Sequence, residues 1–363
     1  MKELKGLTGL RFLAALYVTL YHAERQVGLP LGPGLLRNII SQGALGVTVF
    51  FVLSGFILTY AHLPDFAGGQ WPGGGYYRQF LGRRLARIFP VHLAGLVACL
   101  AVSAWFGAYP DHFPVILALD AALLESYVPA LAMHWYGGGD WSISTEFFFY
   151  LLFPLLLPLA ARVRTKGRLL LLLAGLVGAS VLPGFYYTFH QASPFELAYN
   201  FPPSRLPEFG CGLVLGLLVL RHGLRVPEWV AVAGLLLAAC YLGTFAPRLM
   251  GYTIHHVVVV PATLALIAVL VRAERTRLLR WVAAGPMRYL GRLSFSFYLV
   301  QTPLMLVLDE LLARKAVHKG DYYLLLPLLA LNLALAALLH AAVEQPARRA
   351  WLRRLAPARP VAG

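Results

Sequence analysis

Two polar side chains, Arg11 and His22, interrupt the apolar run GLRFLAALYVTLYH at residues 9–22. At about 100° per residue, the eleven positions between them return to nearly the same helix face, roughly 16 Å further along the axis. Neutral imidazole can take a proton from a hydroxyl, so His22 suits a general base. A guanidinium keeps its charge and needs an anion: a phosphate, a carboxylate, or a glutamate from another segment. No Asp or Glu lies inside this run, so neither side chain has a local partner. The plainer reading is that both sit at membrane interfaces and snorkel to water.

Other polar groups sit where apolar runs begin or end. In YYRQFLGRRLARIFPVHL, residues 76–93, Arg84 and Arg87 are three apart on one helix face. Guanidinium forks so placed can clamp a polyanion, although basic residues beside a span also follow from topology alone. His92, deeper in the same run, reads as structural. In DWSISTEFFFYLLFP, residues 140–154, Glu146 lies inside the start of a span and must be protonated, paired or facing a cavity. Trp141 reads there as an interfacial aromatic, and Asp140 and Ser142 as helix caps. Glu344, in AAVEQPARR, lies near the end of the last apolar run, and Arg205 and Glu208 have the spacing of a local helix pair.

The elements that must hold these groups are membrane helices. Of 363 residues, 59% are hydrophobic and 13% charged, and the mean hydropathy is +0.68. Apolar runs recur along the chain, which marks an all-α polytopic membrane protein. Candidate spans lie near 7–24, 43–62, 88–108, 141–161, 168–185, 206–220, 228–245, 254–271, 289–312 and 322–343. An eleventh run, 113–131, carries Asp120 and Glu125, and charge parity between the basic loops on either side requires that it not cross. The expectation is a bundle of ten spans with both termini cytoplasmic, although the basic loop 314–321 then falls outside.

The first run has no cleavage site after it and is expected to stay as a span. The net charge of +15 comes from basic residues flanking spans, so no nucleic-acid partner is needed to explain it. Cys99, Cys211 and Cys240 sit in apolar stretches as small hydrophobes. The glycine-rich stretches 68–77 and 136–140 lack the GK[ST] of a phosphate loop and read as flexible turns. Residues 1–350 form one expected transmembrane domain, with 351–363 a short basic cytoplasmic tail.

The segments LTGLRFLAALYVTLYHA, GVTVFFVLSGFILTY, RRLARIFPVHL, WSISTEFFFYLLFPL, LGRLSFSFYLVQTPL and VEQPARR, in this order, resemble the acyltransferase-3 family. The resemblance runs from residue 7 to 349. It implies an integral bacterial cytoplasmic-membrane enzyme that acylates, most often acetylates, surface glycans such as exopolysaccharide or lipopolysaccharide. The family's Arg-x10-His motif falls on Arg11 and His22, implying that His22 is catalytic. Its Arg-x-x-Arg motif falls on Arg84 and Arg87, implying that they hold the acyl-CoA donor. Glu146 falls on the family's acidic position, and with Arg11 it would organise the site or stabilise the oxyanion. Where the family pattern ends in a histidine this chain has Gln301, a departure that leaves that residue without an implied role. The implied donor is acetyl-CoA, the acceptor a glycan or lipid-linked saccharide, and no metal is required. A transporter or flippase for a lipid-linked saccharide, or a membrane scaffold, would also account for intramembrane charges.

Overall fold

The computed structural model describes residues 3–66, 73–190, 195–249 and 251–355. Its helices are α1 (Lys5–Gln26), α2 (Leu35–Ser41), α3 (Gly46–His62), α4 (Gly73–Phe106), α5 (Phe113–Ala122), α6 (Gly137–Ala161) and α7 (Lys166–Phe189). They continue with α8 (Phe195–Tyr199), α9 (Leu206–His222), α10 (Glu228–Thr244), α11 (His256–Leu270), α12 (Gly285–Ala313), α13 (Leu325–Leu339) and α14 (Gln345–Leu355). No strand occurs among the described residues. A π-helical turn, His340–Glu344, joins α13 to α14. Lipid leaves no water to satisfy backbone groups, so a chain this apolar must bond them within helices.

Nine helices among the described residues are long and apolar enough to cross a membrane. α1 is not one of the nine, but its 22 residues span about 33 Å, a full bilayer core. It packs extensively against α12 and α3, and the ten expected spans count it in. α5 has only 10 residues, about 15 Å, too short to cross. Asp120 and Glu125 of that segment turn inward and are buried. α4 is the longest at 34 residues, about 51 Å, so its first turns, with Arg78, Arg83, Arg84 and Arg87, are helix and not loop.

α3 and α9 cross at glycines on both sides. A β-carbon at Gly55 would lie 2.0 Å from the Phe209 carbonyl oxygen, and one at Gly212 would lie 1.9 Å from that of Val52. Only hydrogen fits at this crossing, the close approach that small residues permit between membrane helices.

The structure corrects several readings. The glycines at 137–139 open α6 instead of forming a turn, and a β-carbon at Gly139 would meet Thr302 Oγ1 at 2.3 Å. Cys240 is exposed, while Cys99 and Cys211 are buried. α14 runs past residue 350 into the expected tail; residues 356–363, and 68–72 of the first glycine-rich stretch, lie outside the described residues.

Candidate active site

Four helices order two cavities along the bundle. On α1, Arg11 lines the first cavity, and Val18, Tyr21 and His22 line the second. On α12 the sequence runs from Ser294 and Phe295 in the first to Gln301 and Thr302 in the second. α3 and α6 repeat the order in reverse: Val47 and Trp141 face the second cavity, Phe50 and Ser142 the first. The cavities are therefore stacked, and Tyr298 lines both.

The first cavity is narrow, about 60 Å³, and strongly basic. Arg11, Arg84 and Arg87 line it, with Glu146 as the carboxylate among its lining residues. Arg84 is braced from behind: its Nη2 donates to His62 Nε2 at 2.8 Å, and His62 Nδ1 donates to Asp65 Oδ2 at 2.9 Å. The Arg84 guanidinium also lies over the Phe80 and Tyr150 rings, 5.3 and 5.9 Å from their centroids. Glu146 Oε1 accepts from Tyr150 Oη and, at 3.1 Å, from Ser54 Oγ. Arg11 and Arg87 make no hydrogen bond or ion pair among the described residues. Three guanidiniums against one carboxylate leave a cavity that attracts anions.

The second cavity is wider, about 560 Å³, and walled by Tyr21, Trp141, Tyr199 and Tyr252. His22 opens onto it, its ring edge-on to Tyr21 at 5.1 Å between centroids. Neither ring nitrogen has a hydrogen-bond partner among the described residues. Tyr21 is fixed by its hydroxyl, which bonds that of Tyr252 at 2.9 Å and accepts from Arg25 Nη1 at 2.9 Å. Polar groups at the mouth include Gln26, which donates to Asp309 Oδ1 at 2.7 Å.

Trp141 is not interfacial; it is 3% exposed and inside the core. The cause is Arg205, fully buried, whose guanidinium packs 5.1–5.4 Å from the Phe51, Trp141 and Tyr199 ring centroids. Arg205, just before α9, does pair with Glu208 in the first turn of that helix, at 2.6 Å, but the pair is buried and tied into the bundle. Arg205 donates to Tyr199 O and Thr48 Oγ1, and Thr48 Oγ1 bonds His256 Nε2 at 2.9 Å. A buried charge is tolerable only with such partners. The pair thus braces the aromatic wall of the second cavity.

Asp140 and Ser142 do not cap α6, which begins at Gly137. Asp140 Oδ2 lies 3.1 Å from His92 Nδ1, and His92 Nε2 donates to Asp120 O at 2.8 Å. Ser142 Oγ bonds Tyr298 Oη at 2.9 Å. Glu344, expected near an interface, is buried and accepts from Ser296 Oγ at 2.6 Å. Gln301 lines the second cavity, with its Oε1 accepting from Thr19 Oγ1 at 2.9 Å.

Of the residues singled out by sequence, Arg11, Arg84, Arg87 and Glu146 therefore share one cavity, and His22 occupies the other. Sequence reasoning missed Tyr298, Ser54 and His62, and read Ser142 only as a cap. Tyr298 and Ser54 lie in quoted segments, but a neutral hydroxyl in an apolar helix carries no signal comparable to a charge.

An acyltransferase domain family matches residues 4–343. Acyltransferase MdmB of Streptomyces mycarofaciens is 32% identical, with 99% of this chain and 94% of that protein covered. Exopolysaccharide production protein ExoZ of Rhizobium meliloti (strain 1021) is 27% identical, with 78% and 80% covered. Putative peptidoglycan O-acetyltransferase YrhL of Bacillus subtilis (strain 168) is 25% identical over 84% of this chain, which spans 49% of that protein. No solved structure matches. A match over nearly the whole chain, joined to a bundle of apolar helices around two polar cavities, makes this chain a member of the acyltransferase-3 family and a multi-pass membrane acyltransferase.

Proposed function

We propose that the protein transfers an acyl group, acetyl in the first place, from acyl-CoA to a hydroxyl of a cell-surface or lipid-linked saccharide. The observation that carries this reading is the pair of stacked cavities, one with three guanidiniums and one with a histidine whose ring nitrogens have no partner among the described residues. Coenzyme A is a polyanion at its nucleotide end and uncharged along its pantetheine arm. Arg84 and Arg87 bind the phosphates by charge-assisted forks. Arg11, in the same cavity as Glu146, adds the third positive charge, and the arm carries the thioester toward the shared wall at Tyr298.

The acceptor enters the second cavity. Its aromatic walls suit the apolar faces of sugar rings, and the polar groups at the mouth suit their hydroxyls. His22 takes the proton of the attacking hydroxyl and returns it to the leaving thiolate. The relatives named for exopolysaccharide production and for peptidoglycan O-acetylation support a saccharide acceptor. Basic residues gather at the end of the bundle that bears Arg84 and Arg87, which the positive-inside rule assigns to the cytoplasm. The donor then arrives from the cytoplasm and the acceptor from the outer side of the bacterial cytoplasmic membrane.

The test is labelled-acetyl transfer from acetyl-CoA to surface glycans by membranes containing the protein. His22→Ala is expected to lower transfer by about 10²–10⁴-fold, the usual worth of a general base, while the protein stays in the membrane at normal abundance. Transfer undiminished in that variant, or glycans whose mass is the same with and without the protein, would sink the reading.

A further inference from the structure

Acyl transfer passes through a tetrahedral intermediate, whose carbonyl oxygen takes on negative charge and needs a hydrogen-bond donor. Resting on the reading above, the donor must stand where the thioester from one cavity meets the hydroxyl in the other. Arg11 and Glu146 line the donor cavity only, with the phosphate-binding arginines. His22 lines the acceptor cavity only and is engaged with the hydroxyl proton. Tyr298 is the residue that lines both.

The Tyr298 side chain is built to be held still. It is buried, its ring meets Phe50 edge-on at 5.9 Å, and its hydroxyl lies 2.9 Å from Ser142 Oγ. Either hydroxyl of that pair can donate. With Ser142 donating to the phenol oxygen, the Tyr298 O–H is free to point at an incoming carbonyl. A hydroxyl fixed before the reaction loses no free energy to reorientation during it, which is what makes such a donor effective.

We infer that Tyr298 is the oxyanion donor of the acyl transfer and that Ser142 positions it. The acceptor oxygen attacks the thioester carbonyl carbon as its proton passes to His22. The carbonyl electron pair moves onto oxygen, where the Tyr298 O–H donates to it. Collapse restores the C=O bond and breaks C–S, and the sulfur takes the proton from His22. The products are the ester and the CoA thiol. Gln301 is the competing donor. Thr19 holds its Oε1, and its Nε2 has no partner among the described residues, but Gln301 lines the acceptor cavity alone.

The experiment uses the whole chain in lipid nanodiscs, with acetyl-CoA and a panel of bacterial surface saccharides as acceptors. It reads kcat, the KM of each substrate, CoA release without acceptor, and the thermal melting point. Tyr298→Phe keeps the ring and removes one hydroxyl. It is expected to lower kcat about 10²–10³-fold with both KM values, CoA release and melting unchanged. Ser142→Ala is expected to lower kcat about 10-fold, and it carries the test should Tyr298→Phe fail to melt cooperatively.

Full kcat in both variants overturns the assignment. So does a kcat loss in Gln301→Leu that Tyr298→Phe does not share. A rise in acceptor-free CoA release at unchanged kcat also overturns it, since the hydroxyl would then be a seal against water. A wild type that acetylates nothing instead overturns the underlying function, and a dead His22→Ala beside a full-rate Tyr298→Phe overturns the oxyanion role alone.

Discussion

His22 differs from the histidine of a hydrolase triad in having no carboxylate, among the described residues, to fix its tautomer. Either nitrogen can face the cavity, and in the proposed reaction the acceptor hydroxyl supplies the orienting bond. The arginines are arranged differently from one another. Arg84 is braced by His62, whereas Arg87 has no partner among the described residues. Arg87→Ala should therefore raise the KM for acetyl-CoA about 10–100-fold, the worth of one charge-assisted hydrogen bond, at unchanged melting point and acceptor KM. An unchanged donor KM would remove Arg87 from the phosphate site. These charged residues were legible in the sequence because a charge within an apolar run demands an explanation. Tyr298 was not: the chain has 18 tyrosines, and no local pattern marks the one that two cavities share.

At the scale of helices, the crossing of α3 and α9 is the feature with least tolerance. Gly212→Val must push a side chain into the Val52 carbonyl oxygen. The helices can only part, at a cost of about 1–3 kcal/mol or more, so the melting point should fall. Gly175→Ala, on α7 with nothing within 4 Å of the new β-carbon, should leave it unchanged. A neutral Gly212→Val would mean that the two helices do not touch there. The spans themselves were legible from hydropathy, and α5 was rightly kept from crossing by charge parity, because both follow from composition and length. What local sequence could not supply was depth. Trp141 has the neighbours of an interfacial aromatic, and it is buried because Arg205, from a distant segment, packs against its ring.

At the scale of the molecule, charge parity placed Arg11 at the same end as Arg84 and Arg87, and the structure seats all three in one cavity. The stacked cavities have an electrical consequence. In the proposed reaction the phosphates of the donor stay at one end of the bundle and the saccharide at the other. Only an uncharged acyl group would change hands at Tyr298, and the acceptor's proton would travel from hydroxyl to imidazole to sulfur within the site. Such a catalytic cycle is electrically silent. A charge carried across the membrane would couple to voltage at about 2.3 kcal/mol per 100 mV. In sealed vesicles polarised with potassium and valinomycin, acetyl transfer should run at the same rate at either sign of potential. A rate that changed several-fold per 100 mV would show that a charged part of the substrate makes the crossing, and the bundle would then be a carrier as well as a catalyst.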